Sequence, residues 1–312
     1  MSISESPKKH PVLLIAGPTA SGKSQLAIAM GIKTNGIIIN ADASQLYTDL
    51  QILTARPSDA DEKILPHRLF GIQDGREPAS AVFWAEMAKK EIKNAHESGR
   101  LPILVGGTGL YIRTLLEGIA PIPDIAPELR EEVRSMSVEE AYSALQQEDP
   151  MAADRLRPTD KTRIMRALEV MRSTGHPLHY WQQKKTGGIA NEIKLQSFVI
   201  IPPANILRSR CDKRFDQMLE QGAEKEVIRL MGRQLPADLP IMRAIGVREI
   251  ASYIRGEIDR LTMIEKAKAA TRQYAKRQRT WFRHQTDDSW IKIFDDINFK
   301  KIDDFAIKLL SI

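Results

Sequence analysis

The segment Gly17-Pro-Thr-Ala-Ser-Gly-Lys-Ser24 decides the fold of this chain, because it fits the phosphate-loop pattern G-x-x-x-x-G-K-[ST] in full. An apolar run, Val12–Ala16, precedes it, and a helical pattern, Lys23–Met30, follows it. The glycines let the backbone curl until its N–H groups and the helix N-terminus face an anion. We therefore predict that a diphosphate binds the loop, which consists of Gly17, Pro18, Thr19, Ala20, Ser21, Gly22, Lys23 and Ser24.

The last two residues of this loop carry its side-chain chemistry. Lys23 is expected to place a positive charge on the terminal phosphate. The Ser24 hydroxyl is expected to ligate Mg²⁺, which is the cofactor that the sequence predicts. Ser24 is the metal ligand that we assign from the sequence.

Short apolar runs alternate with helical patterns through the first third of the chain. The runs are rich in β-branched residues and are bounded by glycine, proline or polar residues, which is typical of strands buried on both faces of a parallel sheet. We predict strands at Val12–Ala16, Ile37–Asn40, Leu69–Ile72 and Ile103–Val105, and helices at Lys23–Met30 and Ser80–Glu97. This alternation predicts an α/β protein whose core is a P-loop-type parallel sheet.

Three prolines within Pro121–Pro127 mark a change of pattern and a domain boundary. After them we predict helices at Pro127–Arg134, Ser137–Gln147 and Asp160–Ser173, a loop at Thr186–Gly188 and a strand at Gln196–Ile201. The pattern predicts a helical insertion domain, residues 123–197, inside a core made of residues 1–122 and 198–312. The C-terminal region is predicted to be helical over Asn205–Gln285, with a last strand at Trp290–Phe294.

The composition is that of a globular protein, with 42% hydrophobic and 28% charged residues. No apolar stretch approaches the roughly 20 residues that span a bilayer, and the polar start does not resemble a signal peptide. The single cysteine, Cys211, excludes an internal disulfide and a thiolate zinc site. We therefore expect a cytoplasmic protein that has no membrane partner. We also expect a monomer, although the sequence pattern does not decide the oligomeric state.

Two polar residues follow predicted core strands at the edge where the phosphate loop lies. Asp42 comes after Ile37–Asn40, and Thr108 comes after Ile103–Val105 within a glycine-rich turn. Ligands of open α/β sheets bind at this edge, where a carboxylate can take a proton from an attacking amine or hydroxyl. A hydroxyl with neighbouring N–H groups can stabilise charge on a leaving oxygen. Asp42 and Thr108 are therefore the candidate catalytic residues, although capping of the following helices explains both equally well.

The chain has a net charge of +6, and the stretch 266–286 contains seven Lys and Arg residues without an acidic one. On a helix, five of them share one face: Lys268, Arg272, Lys276, Arg279 and Arg283. A face of one sign costs repulsion unless a polyanion compensates it, which favours a nucleic-acid partner over simple solvation. A second basic cluster, within 155–172, lies in the predicted insertion and is ambiguous by itself.

Several motifs, in order along the chain, resemble those of the bacterial tRNA dimethylallyltransferase family. They are the phosphate loop, Asp42…Gln45-Leu-Tyr47, Thr54-Ala-Arg-Pro57, Pro66-His-Arg68, Gly106-Gly-Thr108…Leu110-Tyr111, Arg163…Arg166-Ala-Leu-Glu-Val170 and Thr271-Arg-Gln-Tyr-Ala-Lys-Arg-Gln278…Trp281-Phe-Arg283. The resemblance runs from about Pro11 to Arg283. It implies an enzyme that transfers a dimethylallyl group from dimethylallyl diphosphate to N6 of the adenosine adjacent to the anticodon, on its 3′ side, in tRNA.

The resemblance also implies roles for individual residues. Asp42 would be the base that faces the amine, and the phosphate loop, with Thr108 and Arg214, would bind the diphosphate leaving group. The tRNA anticodon stem-loop would contact Asp42, Ala43, Ser44, Gln45, Thr108, Arg130, Thr162, Arg163, Ile164, Met165 and Arg166. The basic helical face adds Arg272, Lys276, Arg279 and Arg283 to this predicted tRNA-binding set.

Three other interpretations stay open at the level of the sequence. A small-molecule or nucleotide kinase that uses ATP at the same loop would explain the loop and an Arg-rich lid, but not the basic C-terminal face. A prenyltransferase acting on free AMP would need no long basic helix. A non-enzymatic RNA-binding module would explain the basic faces but not the intact Lys23–Ser24 pair.

Overall fold

A computed structural model describes residues 9–297 and 302–310. The remaining parts of the predicted core range, 1–8, 298–301 and 311–312, lie outside the described residues. The strands are β1 (His10–Ala16), β2 (Gly36–Asn40), β3 (His67–Arg68), β4 (Leu101–Gly106), β5 (Gly118–Ile119), β6 (Thr186–Gly187), β7 (Ile193–Ile200) and β8 (Ile291–Ile293).

The α-helices of the described ranges are α1 (Lys23–Thr34), α2 (Asp59–Ile64), α3 (Ala81–Glu97), α4 (Gly109–Glu117), α5 (Pro127–Ser135), α6 (Val138–Glu148), α7 (Pro150–Arg155), α8 (Lys161–Thr174), α9 (Leu178–Gln182), α10 (Ala204–Glu220), α11 (Ala223–Gly232), α12 (Val247–Ile254), α13 (Arg260–His284) and α14 (Ile302–Leu310). Short 3-10 helices occupy Ala43–Leu46 and Pro240–Arg243. Within the described residues, none of these helices has both the length and the apolar character needed to cross a bilayer.

Six of the described strands form one sheet, in the order β3-β2-β4-β1-β7-β8. Strand β1 lies inside it and pairs with β4, where Ala16 is opposite Gly106, and with β7, where Ala16 is opposite Val199. Every pairing in this sheet is parallel. The carboxyl ends of the strands therefore share one edge, and the phosphate loop leaves the sheet from its interior strand. The predicted α/β fold with a P-loop-type parallel core is confirmed.

Most of the predicted elements are present, and the exceptions have local causes. The predicted strand at Leu69–Ile72 is wrong, because only His67–Arg68 pairs with β2 and Leu69 turns the chain with φ +64°. The predicted loop at Thr186–Gly188 contains the two-residue strand β6, which pairs antiparallel with β5. The strand expected from Gln196 begins earlier, at Ile193, because its first residues pair with β1.

The chain divides into two compact units, residues 1–115 with 189–312 and residues 116–188. The insertion predicted over 123–197 differs from the second unit at both ends. At the C-terminal end the reason is clear, since residues 193–197 belong to β7 and pair with β1 of the first unit. At the N-terminal end, residues 118–119 form β5 and pair with β6 inside the second unit.

Each unit has its own hydrophobic core. In the first unit, α1 buries Leu26, Ala27 and Met30 in a cluster with strand residues such as Ile15 and Ile103. In the second unit, α5, α6 and α8 bury a separate cluster that includes Val133, Leu145, Ile164 and Leu168. Helices α5, α6 and α8 begin within one residue of the predicted positions. Ser137 and Asp160 cap α6 and α8 by accepting hydrogen bonds from the N–H groups of Glu140 and Arg163.

The end of β4 approaches the backbone after β2 so closely that only glycine fits. A Cβ atom at Gly106 would overlap the carbonyl group of Ala41, which is backbone and has little freedom to move. We expect Gly106→Ala to lower the free energy of unfolding by about 1–3 kcal/mol, as overpacking does in well-packed interiors. Denaturant unfolding followed by fluorescence measures this change.

The matched control is Gly232→Ala at the end of α11, where nothing lies within 4 Å of the added Cβ atom. Alanine is the better helix former there, so unfolding of this variant should occur at the same or a slightly higher denaturant concentration than in the wild type. Equal midpoints for the two variants would show that the close approach after β2 does not constrain the fold.

Candidate active site

The phosphate loop has the backbone conformation that an anion site needs. Gly17 and Gly22 have φ values of +153° and +95°, and the Cβ atom of a larger residue at Gly17 would lie 2.5 Å from the carbonyl oxygen of Ile200. Helix α1 starts directly after Gly22, and no side chain caps its N-terminus. Its first N–H groups and its dipole can therefore act on a bound anion.

The side chains of the loop leave polar groups that a ligand can satisfy. The Ser21 hydroxyl is buried and has no hydrogen-bond partner among the described residues. Lys23 is 9% exposed, and its Nζ donates one hydrogen bond, to the carbonyl oxygen of Pro18 at 3.3 Å. An ammonium group has three donors, so Lys23 can still bind phosphate oxygens. The site is polar and under-satisfied without a ligand.

Two cations, Lys23 and Arg214, share this site. Burial lowers the pKa of Lys23 to about 8; Asp42 acts in the opposite direction, and nearby Arg214 lowers the pKa further. Burial also lowers the pKa of Arg214, which projects from α10, while Asp42 again opposes the shift. A diphosphate would relieve both effects, because an anion favours the charged form of each group.

Asp42 follows β2 and is held by a network that begins at Asn40. The Asp42 N–H donates to Asn40 Oδ1 at 2.8 Å, and Asn40 Nδ2 donates to the carbonyl oxygens of Asp42 and Leu69, each at 3.0 Å. Trp84 Nε1 donates to the Asn40 carbonyl oxygen at 2.7 Å. Asn40 was not among the predicted site residues, although a polar residue closing an Ile-rich buried strand was a visible signal.

The carboxylate of Asp42 has one engaged oxygen. Oδ1 accepts from the Ser44 N–H at 3.1 Å and from the Ser44 hydroxyl at 2.8 Å. Asp42 thus caps the 3-10 helix Ala43–Leu46, which is the capping role predicted from the sequence as the alternative to catalysis. The cap fixes the orientation of the carboxylate and leaves Oδ2 for a proton. Capping and catalysis are compatible here.

Thr108 lies close to Asp42, but its hydroxyl holds protein groups. Thr108 Oγ1 accepts from the Ala43 N–H at 2.9 Å, and the Thr108 N–H donates to the Ala41 carbonyl oxygen at 3.2 Å. Tyr274, on α13, interacts with the Thr108 side chain, and burial raises the pKa of this tyrosine. Thr108 therefore joins the end of β4 to the residues around Asp42.

One cavity of about 360 Å³ joins the phosphate loop to Asp42. Its polar wall includes Thr19, Lys23, Ser24, Asp42, Ser44 and Arg214, and its apolar wall includes Leu53, Phe215, Met218, Ile241 and Ile245. Tyr111 also lines it and stacks on buried Trp84 with ring centroids 5.2 Å apart. The volume is within the range of about 300–1,000 Å³ typical of small-molecule sites. The cavity can hold an anion at one end and an apolar group beside it.

A buried carboxylate fixes the wall that contains Leu53. Glu226, on α11, is 2% exposed and accepts hydrogen bonds from the N–H groups of Gln51 at 2.6 Å, Ile52 at 2.9 Å and Leu53 at 2.9 Å. Gln45 holds the other side of this loop, since its Nε2 donates to the carbonyl oxygens of Thr54 and Ala55. The cavity wall is thus preorganised by hydrogen bonds from two directions.

The basic face of α13 is less uniform than the sequence predicted. Arg272 pairs with Asp212 at 2.7 Å, and Lys268 pairs with Asp216 at 2.6 Å, so acids on α10 neutralise this part of the face. Lys276 and Arg283 are exposed. Arg279 Nε is buried and has no hydrogen-bond partner among the described residues. Lys276, Arg279 and Arg272 contribute to the wall of a second cavity, of about 420 Å³, between α10 and α13.

The predicted tRNA-binding residues of the second unit fall into two groups. Arg130, Thr162 and Arg163 are exposed, and Arg163 pairs with Asp160 at 3.2 Å. Arg166 is partly buried and pairs with Glu169 at 3.5 Å. Ile164 and Met165 are 0% and 5% exposed and belong to the core of the unit. The tRNA contacts of these two residues stay a prediction, and α8 places their side chains inside the core of the unit.

The oxygen atoms that line the cavity could bind Mg²⁺ only together with oxygens from a bound phosphate ligand and from water. Among the described residues, no cluster of three or more His, Cys, Asp or Glu side chains could hold a metal ion. Ser24 supplies one hydroxyl in the same cavity as the Asp42 carboxylate. Magnesium commonly keeps several waters and takes its other oxygens from substrate phosphates, so this sparse set is compatible with it.

The IPP transferase family model matches residues 45–285 of this chain. A tRNA dimethylallyltransferase of Zymomonas mobilis is 99% identical over 312 residues, which is all of both chains. A tRNA dimethylallyltransferase of Erythrobacter litoralis is 53% identical over 298 residues, which is 94% of each chain.

Solved structures are similar over nearly the whole chain. A eukaryotic dimethylallyltransferase, described as acting on tRNA, has a TM-score of 0.83 at 26% identity and covers 96% of this chain and 77% of its own. The full-length tRNA isopentenylpyrophosphate transferase of Bacillus halodurans has a TM-score of 0.70 at 31% identity, covering 97% of this chain and 96% of its own.

The pKa of Lys23 predicts how the affinity for inorganic diphosphate depends on pH. With a pKa of about 8, Lys23 loses its charge as the pH rises through that value. Binding must then also protonate the lysine, so we expect the Kd to rise by up to about tenfold per pH unit above the pKa. Calorimetric titration in the absence of metal, between about pH 7 and about pH 10, measures this change.

The control is Lys23→Arg, whose guanidinium group stays charged throughout this range. The ionisation of the diphosphate affects both proteins equally, so its effect cancels in the ratio of the two Kd values. If the ratio does not change with pH, Lys23 is not the group whose charge the diphosphate requires.

Proposed function

This chain belongs to the IPP transferase family, and we propose that it transfers a dimethylallyl group from dimethylallyl diphosphate to N6 of the adenosine adjacent to the anticodon, on its 3′ side, in tRNA. The observation that carries this proposal is the single cavity lined by Lys23, Ser24 and Asp42. In such a cavity, one small substrate can reach from the phosphate loop, which would bind its leaving group, to the carboxylate of Asp42.

The leaving group binds in the phosphate loop. The N-terminus of α1, Lys23 and Arg214 supply positive charge to the diphosphate oxygens as the bond from carbon to oxygen breaks. The two cations are partly desolvated before the substrate arrives, so less solvent has to reorganise during the reaction. Bound Mg²⁺, held by the Ser24 hydroxyl and phosphate oxygens, would supply further charge neutralisation.

The acceptor amine reacts at the Asp42 end of the cavity. The amine nitrogen forms a bond to the allylic carbon, the bond from that carbon to the diphosphate oxygen breaks, and one proton of the amine passes to Asp42 Oδ2. Ser44 holds Oδ1, which keeps the carboxylate oriented for this transfer. The electron pair of the broken bond leaves with the diphosphate. Since no water is activated, one carboxylate is sufficient.

The apolar wall suits the hydrocarbon part of the donor. Leu53, Phe215 and Met218 lie in the same cavity as the phosphate loop, and Glu226 fixes the loop that carries Leu53. Burying the allylic group there removes water from the reacting carbon, which disfavours hydrolysis of the donor. The adenosine must leave its base stack to enter, as bases modified by enzymes commonly do.

Both units present basic surface that suits tRNA. In the first unit, Lys276 and Arg283 are exposed on α13; in the second unit, Arg130, Thr162 and Arg163 are exposed on α5 and α8. Contacts of this kind to RNA phosphates give affinity without reading sequence. We propose that these residues bind the anticodon stem-loop, whereas Arg272 contributes less because Asp212 already pairs with it.

Incubation with unmodified tRNA and Mg²⁺, with either dimethylallyl diphosphate or ATP, tests the reaction. We expect mass spectrometry to show one dimethylallyl group added to the tRNA, at an adenosine next to the anticodon, in the first mixture. A phosphate added to tRNA or to a nucleotide in the ATP mixture, without prenylation in the other, would establish the kinase instead. Free AMP in place of tRNA tests the AMP prenyltransferase.

The matched variant for this assay is Asp42→Asn, which keeps an acceptor for Ser44 but is not a base. We expect turnover to fall by about 100- to 10,000-fold, the usual contribution of a general base, while tRNA affinity stays within a few-fold. Loss of tRNA binding with turnover retained would reverse the assignment of Asp42.

The salt dependence of tRNA binding tests the basic face of α13. Lys276→Ala combined with Arg279→Ala should weaken binding and lower the slope of log K against log salt by about 1 for each phosphate contact removed. Filter binding over a salt series measures both quantities. The control is Lys268→Ala, because Asp216 already pairs with Lys268. An equal change of slope in the two proteins would exclude a special role for Lys276 and Arg279.

A further inference from the structure

Gln278, in the middle of α13, makes two hydrogen bonds that join separate parts of the active site. Its side chain is buried, with 5% exposed. Oε1 accepts from the N–H of Thr19, in the phosphate loop, at 2.8 Å. Nε2 donates to the carbonyl oxygen of Gly107, in the turn after β4, at 2.9 Å. The amide of Gln278 therefore bridges two loops that are far apart in the sequence.

Further hydrogen bonds connect the residues after Gly107 to those around Asp42, the proposed general base. Thr108 follows Gly107 directly and accepts from the Ala43 N–H at 2.9 Å. Ala43 is the residue after Asp42, whose carboxylate the Ser44 cap holds. A connected path thus runs from the loop that binds the leaving group, through Gln278 and Thr108, to the carboxylate that takes the proton.

The same face of α13 packs closely on the turn that carries Thr108. Tyr274, four residues before Gln278, interacts with the side chain of Thr108. A Cβ atom at Gly107 would overlap Gln278 Nε2, and one at Gly109 would overlap the ring of Trp281. Glycine at these two positions lets the helix approach until side-chain hydrogen bonds to the backbone form. The inner face of α13 is therefore built to position the two loops.

We propose that Gln278 is a positioning residue that sets the distance and orientation between the diphosphate cradle and Asp42. This proposal rests on the function proposed above. In an in-line displacement, the attacking nitrogen, the carbon and the leaving oxygen must be aligned, and a misplacement of about 1 Å can cost about 100-fold in rate. Gln278 acts through the two loops and touches neither the base nor the reacting atoms.

Only a neutral group with a donor and an acceptor satisfies both partners. Methionine has a similar length but makes neither hydrogen bond, so Gln278→Met frees the two loops. Gln278→Glu is nearly isosteric, yet an ionised carboxylate would face the Gly107 carbonyl oxygen without a hydrogen to donate. A protonated carboxyl restores the missing donor, since its O–H can reach Gly107 while its carbonyl oxygen accepts from Thr19.

The experiment compares kcat and both KM values of wild type, Gln278→Met and Gln278→Glu between about pH 6 and about pH 8. For Gln278→Met we expect kcat to fall by about 10- to 100-fold, with KM for tRNA changed by less than about threefold. For Gln278→Glu we expect kcat relative to the wild type to rise as the pH falls and the buried carboxyl becomes protonated. Lys23, Arg214 and Tyr274 are common to all three proteins, so their contribution to the pH dependence cancels in the ratio.

The control is Gln217→Met on α10, where the side chain is exposed; its kinetics should equal those of the wild type. Thermal unfolding of each variant separates positioning from loss of fold, and Gln278→Glu keeps the test valid if Gln278→Met does not fold. The proposal is overturned if kcat of Gln278→Met is unchanged, or if the kcat ratio of Gln278→Glu does not depend on pH. A wild type that does not prenylate tRNA would instead refute the proposed function.

Discussion

The active site depends on two positive charges that are partly desolvated near the phosphate loop. Lys23 and Arg214 lie in one cavity, and burial lowers the pKa of both. An anion at the first turn of α1 would favour the charged form of both cations. The curled loop that creates the site needs glycine at Gly17, since the backbone of Ile200 lies against it.

The position of Asp42 then determines what this anion site can do. A phosphate loop alone binds the diphosphate of many ligands, and the reaction depends on the group that faces the bond being broken. In this cavity one oriented carboxylate, that of Asp42, lies with the phosphate loop and an apolar wall. Such a site suits transfer of a hydrocarbon group to an amine better than it suits activation of water. The similarity to dimethylallyltransferases over the whole chain agrees with this chemistry.

Helix α13 combines two tasks on different faces. Its inner face places Tyr274 and Gln278 on the loops of the site, and its outer face exposes Lys276 and Arg283. Acids of α10 neutralise the basic residues nearer the start of the helix, including Arg272. The charge that remains for a polyanion is therefore concentrated in the second half of α13, the same half that contains Gln278. The two proposed roles, RNA binding and alignment of the loops, therefore fall on opposite faces of one helix.

The sequence by itself determined the features that depend on local spacing. It located the phosphate loop, most strands of the parallel sheet, Asp42 at a strand end and the helical insertion. These features were predictable because backbone conformation and hydrophobic periodicity depend on residues that are close in the sequence. The tertiary structure alone decided which distant residues meet. The pairing of Arg272 with Asp212 and the hydrogen bonds of Gln278 join residues that are far apart in the chain. Such contacts follow from packing in three dimensions, for which a single sequence contains no local signal.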